Sequence, residues 1–230
     1  MACCLIAVLF SYVAETHAQF DSLGLNTPWN NGTLVLDDNT TLKGSIQFND
    51  KMGLIKYRKN PDDEERSFVE TSISAMRIYD EEAARWRNFA VFNVNHVQTG
   101  TMNTMLFEVL MEFSNFALLT RVDRVNVGVR HRQDMYGNFH TVRVGYEQFE
   151  HLCLVDEGGT AHVVLSVSEF ERNKFAMASK LKPILDKKSM EKYLGDDWDK
   201  FQDLVKSNKL NLRKRDDFVR AFEIYQEEFD

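Results

Sequence analysis

His151 and Cys153 stand two residues apart in residues 142–155, a run that alternates as a strand does, so both side chains share one face. An imidazole beside a thiol is the smallest unit of an activated nucleophile: the ring takes the proton and the thiolate attacks. That chemistry also needs a third group to orient the ring, and no spacing in the sequence supplies one. Leu152, Leu154 and Val155 flank the cysteine, which favours a small buried hydrophobe over a catalytic group. The remaining histidines of the main body, His96, His131, His140 and His162, form no H-E-x-x-H pattern, and there is no C-x-x-C. Asp37-Asp38-Asn39 offers three oxygen donors, short of the roughly six to eight that calcium takes, and reads as a turn. G-x-S-x-G, phosphate-loop and dinucleotide patterns are absent. No catalytic, cofactor-binding or metal-ligating residue is therefore assigned, and no cofactor is expected.

Two binding surfaces are conceivable. Trp29, Trp86 and Trp198 with Tyr57, Tyr79, Tyr136 and Tyr146 could stack sugars, although their even spread suits core and edge positions. Lys206–Arg215 holds five cations in ten residues and could touch anionic lipid, or simply be a solvated connection between helices.

The elements that must position these residues begin with a meander. Leu42–Phe48 alternates strictly, with Leu42, Ile46 and Phe48 on one side and Lys43, Ser45 and Gln47 on the other. Thr33–Leu36, Leu54–Arg58 and Ala75–Tyr79 are its companions, with turn chemistry between them. Glu81–Arg87 reads as a connection, and Asn88–Asn95 as a strand. Met105–Phe113 is expected to turn Met105, Phe107, Val109, Met111 and Phe113 to a core and Leu106, Glu108 and Leu110 away from it. Ser114-Asn115 then turns the chain into Phe116–Val122. In Arg124–His140, Val125, Val127 and Val129 alternate, but Arg130–His140 is polar and turn-prone, and the stretch reads as a long hairpin loop or mobile excursion. Asp156-Glu157-Gly158-Gly159 joins the last two strands.

From Ser168 the periodicity changes. Glu169–Ala178 is ambiguous. Lys187–Leu194 is a short helix closed by Gly195, and Asp196 or Asp197 caps a second with Trp198, Phe201, Leu204 and Val205 on one face. Arg213–Glu228 is the third, its stripe running Phe218, Phe222, Tyr225, Phe229. Strands first and helices last is an α+β arrangement, the strands forming packed sheets or a distorted barrel.

The chain has 230 residues and a net charge of −7; Glu15 accounts for one charge and residues 19–167 carry the other six, because residues 168–230 are balanced. An acidic body argues against non-specific nucleic-acid binding. Residues 1–18 read as a signal peptide: Cys3–Val13 is an apolar run too short to cross a bilayer, and Thr16-His17-Ala18 offers small residues for cleavage before Gln19. Only Cys153 then remains, so no internal disulfide is expected.

Trp29–Phe48, reading W-N-N-G-T-L-V-L-D-D-N-T-T-L-K-G-S-I-Q-F, resembles the opening of a group of exported proteins of Bacteroidetes-type bacteria. Leu106–Leu110 followed by Phe116–Leu119, and Lys209–Leu212 with Phe222–Tyr225, are similar as well. The group carries no assigned activity. The resemblance implies export, and a β-rich architecture with C-terminal helices, and it assigns no site residue.

The expectation is a signal peptide (1–18), a β-rich body (19–167) and a C-terminal helical segment packed on it (168–230). Such a protein would be exported to the periplasm, the outer-membrane surface or the medium, and would not be an integral membrane protein. Its expected role is non-enzymatic, structural or partner-binding in the cell envelope. The alternatives are a module that binds carbohydrate or envelope polymer, and a hydrolase or thiol enzyme around His151 and Cys153.

Overall fold

A computed structural model describes residues 27–49, 53–95, 102–126, 129–133, 136–137, 139–143, 146–169 and 183–229. The leader residues 1–18 with Cys3 and Cys4, the expected new N-terminus Gln19, His96, and the ambiguous stretch 170–178 lie outside the described residues.

β1 (Asn30–Leu36), β2 (Thr41–Asn49), β3 (Leu54–Arg58), β4 (Arg66–Val69) and β5 (Ile73–Asp80) form the meander, in the sheet order β5-β1-β2-β3-β4. The β1–β2 turn has the expected chemistry: Asn39 sits at φ 65°, and the Asp38 carboxylate accepts the Thr40 N–H at 2.8 Å. Alternation buries Leu34, Ile46, Ile55, Met76 and Ile78 on one side. The meander cannot lie flat. A three-residue 3-10 turn, Glu70–Ser72, carries the chain from β4 back to β5, four places away in the sheet. Four strand spacings of about 4.8 Å amount to ~19 Å, and four residue steps reach at most ~14 Å. The sheet therefore coils on itself. Gly32 and Gly44, directly opposite each other, permit the coil. A Cβ on Gly32 would run into the Arg77 carbonyl oxygen, and one on Gly44 into that of Arg58.

A second barrel follows. β6 (Arg85–Asn95), β7 (Met102–Glu112), β8 (Phe116–Asn126), β11 (Tyr146–Asp156) and β12 (Thr160–Glu169) pair in turn, antiparallel. β12 then closes the ring on β6 in parallel, Thr160 opposite Asn93 and Ala161 opposite Val94. β9 (Val129–Gln133) and β10 (Phe139–Arg143) pair as a ribbon that continues the β8–β11 hairpin. The excursion expected at Arg124–His140 is thus largely strand, because a backbone ladder forms whether or not its side chains are apolar. β6 likewise starts earlier than expected, at Arg85, after a turn at 81–84.

β6 and β7 are shared walls, which revises the one-sided reading of Met105–Phe113. Leu106 is buried among Leu34, Ile46 and Ile78 of the N-terminal barrel. Phe107, on the opposite side, is buried with Leu119, Cys153 and Val155 inside the second. Glu108 is buried too, between Arg85 and Arg87 at 3.0 and 2.7 Å. A register shift between Val109 and Met111 then turns Leu110, Met111 and Phe113 towards the helices.

β13 (Ile184–Leu185) pairs with β12 and leads into α1 (Lys187–Leu194), α2 (Trp198–Ser207) and α3 (Arg215–Phe229). Asp186 caps α1 through the N–H groups of Lys188 and Ser189. Asp197 makes no side-chain cap on α2, whose entry is a 3-10 turn, and its carboxylate instead takes Lys200 and Tyr225. The helices cover the outer face of β8, β11 and β12, where Phe116, Leu118, Leu152 and Leu154 meet Phe201, Phe218 and Phe222. Arg215 reaches Glu150 at 2.9 Å and Gln226 the Glu112 carbonyl at 2.8 Å, holding both ends of α3 to the strands. Phe229, expected in the buried stripe, is 44% exposed, with Tyr225 at 5.6 Å and the Lys200 ammonium at 5.8 Å against its ring. The fold is α+β, strands first.

Candidate functional site

The polar residues that come together do so at the end of the second barrel. Arg121 on β8, His151 on β11 and Ser166 on β12 are direct cross-strand partners, so they form one row. Leu119 and Cys153 lie one step along the same inner face, in the apolar plug.

Beside this row the β7–β8 ladder stops at the pair Glu108 and Thr120. Side chains take over from backbone there. The Leu106 N–H donates to Glu70 Oε2 at 3.3 Å, and Arg121 Nη1 donates to the Leu106 carbonyl at 2.9 Å. Arg121 Nη1 and Nη2 also hold Glu70 at 2.6 and 3.3 Å, and its Nε holds Asp123 Oδ1 at 2.7 Å. Glu70 belongs to the 3-10 turn of the N-terminal barrel, so this ion pair joins the two barrels where that turn meets β7 and β8. Burial works to lower the Arg121 pKa, but the bonds and charges of Glu70 and Asp123 outweigh it and the net shift is upward. Arg121 stays a cation throughout.

His151 Nδ1 lies 2.7 Å from Ser166 Oγ, and its Nε2 3.6 Å from Asp123 Oδ2. Phe149 stacks on the ring at 6.1 Å, nearly parallel. Hydroxyl, imidazole and carboxylate in sequence are the parts of a nucleophilic triad. Two distances weaken it. The carboxylate–imidazole gap exceeds a hydrogen bond, and Arg121 draws on the same carboxylate. Cys153 is fully buried, and burial first, then the Asp123 charge, pushes its thiol up against the opposing pull of Arg121. That is the reverse of what an activated thiol needs.

Sequence reasoning singled out His151 and Cys153 and missed Glu70, Arg121, Asp123 and Ser166. A signal was present: Arg121 and Asp123 follow Leu119 at inward positions of a strand, where charge has to be answered by charge. The other candidates scatter. His162 packs 5.8 Å from Tyr193, whose hydroxyl is pushed up by burial and then by Asp156. Among the described residues no three His, Cys, Asp or Glu are grouped to hold a metal ion, and no helix is long and apolar enough to cross a membrane. Tyr57 is buried and Trp198 stacks on Phe201, while Trp86 is 45% exposed. Of the cations in Lys206–Arg215, Lys206 pairs with Asp203 and Arg215 with Glu150. Comparison of the chain with family models, with curated proteins and with solved structures finds no match.

Proposed function

We propose that this is an exported, non-enzymatic binding protein of the bacterial cell envelope. The observation that carries the reading is how its reactive side chains are engaged. Arg121 donates to both Glu70 and Asp123, Glu70 and Arg121 satisfy the open backbone of Leu106, and the thiol beneath them is sealed in an apolar plug. Such a junction holds two barrels together. The helical stripes are covered by the strands and by one another, so the segment is part of the body. Export rests on the apolar leader and on the resemblance of Trp29–Phe48 to exported proteins.

One geometric feature favours a second reading, a serine hydrolase: the 2.7 Å approach of Ser166 to His151. A single experiment separates the two. Protein recovered from the host's extracytoplasmic fraction is treated with a fluorophosphonate and with iodoacetamide, and intact mass is read before and after. The binding reading expects a chain beginning at Gln19 and no adduct at Ser166 or Cys153. Stoichiometric labelling of Ser166, lost in His151→Ala, would establish the hydrolase instead.

A further inference from the structure

On the N-terminal barrel, the strands β1 to β4 and residues 73–79 of β5 contain no Asp or Glu at all. The neighbouring acids, Asp37, Asp38 and Asp62 to Glu65, are confined to turns. In a chain of net charge −7 this leaves the middle of one sheet face without Asp or Glu, while at its margins Glu65 pairs with Lys56 at 3.2 Å and Asp80 with Arg87 at 3.7 Å. Its outward positions fall into two rows. Arg77 lies opposite Thr33, which lies opposite Lys43; Asn31 lies opposite Ser45, which lies opposite Arg58. Arg77 and Lys43 are exposed and have no carboxylate partner among the described residues.

Each end of the face carries a tryptophan under a guanidinium. Arg77 stands 4.4 Å from the Trp86 ring, with Tyr79 edge-on at 5.3 Å, and Arg58 stands 4.1 Å from Trp29. Arg77 and Lys43 flank Thr33, two strand spacings or about 10 Å apart, within reach of a chain of a few units that follows the coil.

We infer that this face binds an acidic polysaccharide, a ligand class that rests on the reading of the protein as a binding protein. Indole rings present flat apolar faces to the C–H faces of pyranose rings. Asn31, Ser45 and Thr33 supply amide and hydroxyl partners for neutral sugar hydroxyls between them. Arg77 and Lys43 answer carboxylate or sulfate groups, the arginine with a planar fork of donors. A single-stranded nucleic acid fits the face less well, because it binds by stacking successive bases on neighbouring rings, and here the two indoles stand at opposite ends of the face, each beside its own guanidinium.

The test is affinity electrophoresis of the mature chain in native gels containing polygalacturonate, neutral dextran or no polymer, with a fluorescence titration against single-stranded oligothymidylate alongside. Retardation is expected in polygalacturonate alone, weakening as salt is raised. Exchanging exposed cations for carboxylates in the double variant Arg77→Glu, Lys43→Glu is expected to weaken binding about tenfold or more, and Trp86→Ala by about tenfold. Both variants are expected to keep the parent's melting temperature. No retardation by polygalacturonate, retardation that the variants leave unchanged, or tighter binding of oligothymidylate would each overturn the inference. Its failure differs from that of the broader reading, which falls on labelling of Ser166 and not on the behaviour of any polymer.

Discussion

Replacing Glu70 by alanine removes the carboxylate at which the two barrels meet. Three interactions go at once: the bonds from Arg121 Nη1 and Nη2, and the acceptor for the Leu106 N–H. The side chains of Arg121 and Glu70 are 12% and 18% exposed, so water reaches them poorly but does reach them. Removing one partner of a fully buried pair costs about 3–5 kcal/mol. Arg121 keeps Asp123 and the Leu106 carbonyl, which lowers the expectation to about 2–4 kcal/mol. For a protein of this size that is a fall in melting temperature of roughly 4–16 °C. Arg121→Met removes the two bonds to Glu70 together with those to Asp123 and the Leu106 carbonyl, and leaves both carboxylates without their cation, so a comparable loss is expected. The pair with both substitutions is expected to lose less than the sum, with a coupling of about 2 kcal/mol, because the second change relieves a charge the first left stranded. The assay is urea unfolding of the mature protein, followed by tryptophan fluorescence and far-ultraviolet circular dichroism. Single losses below about 0.5 kcal/mol, the level of ordinary surface changes, or strictly additive losses, would refute the idea that this ion pair joins the barrels.

Cys153 is expected to react with a thiol reagent at the rate of unfolding alone, and raising the pH from 7 to about 9 should barely help because the thiol is pushed above its ordinary range; rapid stoichiometric labelling in native buffer would contradict this. Phe222 is fully buried, 4.9 Å from the Phe201 ring and 5.9 Å from Phe113, so Phe222→Ala is expected to cost about 3–5 kcal/mol and to admit protease first into residues 208–214, as checked by melting and limited proteolysis. Asp186 has its pKa lowered by the Ser189 hydroxyl bond first and the backbone N–H groups with it, against a smaller burial effect. Asp186→Ala is therefore expected to cost about 1 kcal/mol at neutral pH. The deficit relative to the parent persists above the unfolded carboxyl pKa of about 3.9, then shrinks as pH falls through the lower folded value. Denaturant midpoints at pH 7 and pH 3 give the comparison. Gly32→Ala places a Cβ against the Arg77 carbonyl, and a melting temperature equal to the parent's would show that the coil does not depend on that approach.

The strands of the meander and the helices were legible because each has one buried face, and a single period then writes itself into the sequence. Leu42, Ile46 and Phe48 illustrate it, as do Phe218, Phe222 and Tyr225. β7 was half legible. Its alternation is real, but as a wall between two cores it buries Leu106 and Phe107 alike, and the register shift after Val109 changes which residues point where. Periodicity reports how many faces are apolar and is silent on how many cores there are. The parallel closure of β12 on β6 leaves no mark either, since it joins only Thr160 and Ala161 to residues far back in the chain.

The junction was illegible for a related reason. Glu70 comes from the N-terminal barrel, and only the coiling of one barrel against the other brings it to Leu106 and Arg121, while Ser166 joins the row through strand pairing with His151. Their placement also divides the work of the molecule. The second barrel has its outer face under three helices and its inner face filled, which leaves it rigid and largely closed. The N-terminal barrel has only its inner face filled, and its outer face keeps Arg77, Lys43 and Trp86 in water. An exposed cation over an exposed indole adds little to folding, because a contact of that kind contributes about 0.5–1 kcal/mol in water. Strand propensity already keeps Asp and Glu scarce there, but it does not explain why Arg77 and Lys43 stand exposed without carboxylate partners among the described residues. Recognition of something anionic does, and the ion pair at Glu70 and Arg121 is what holds the recognising barrel to the rigid one.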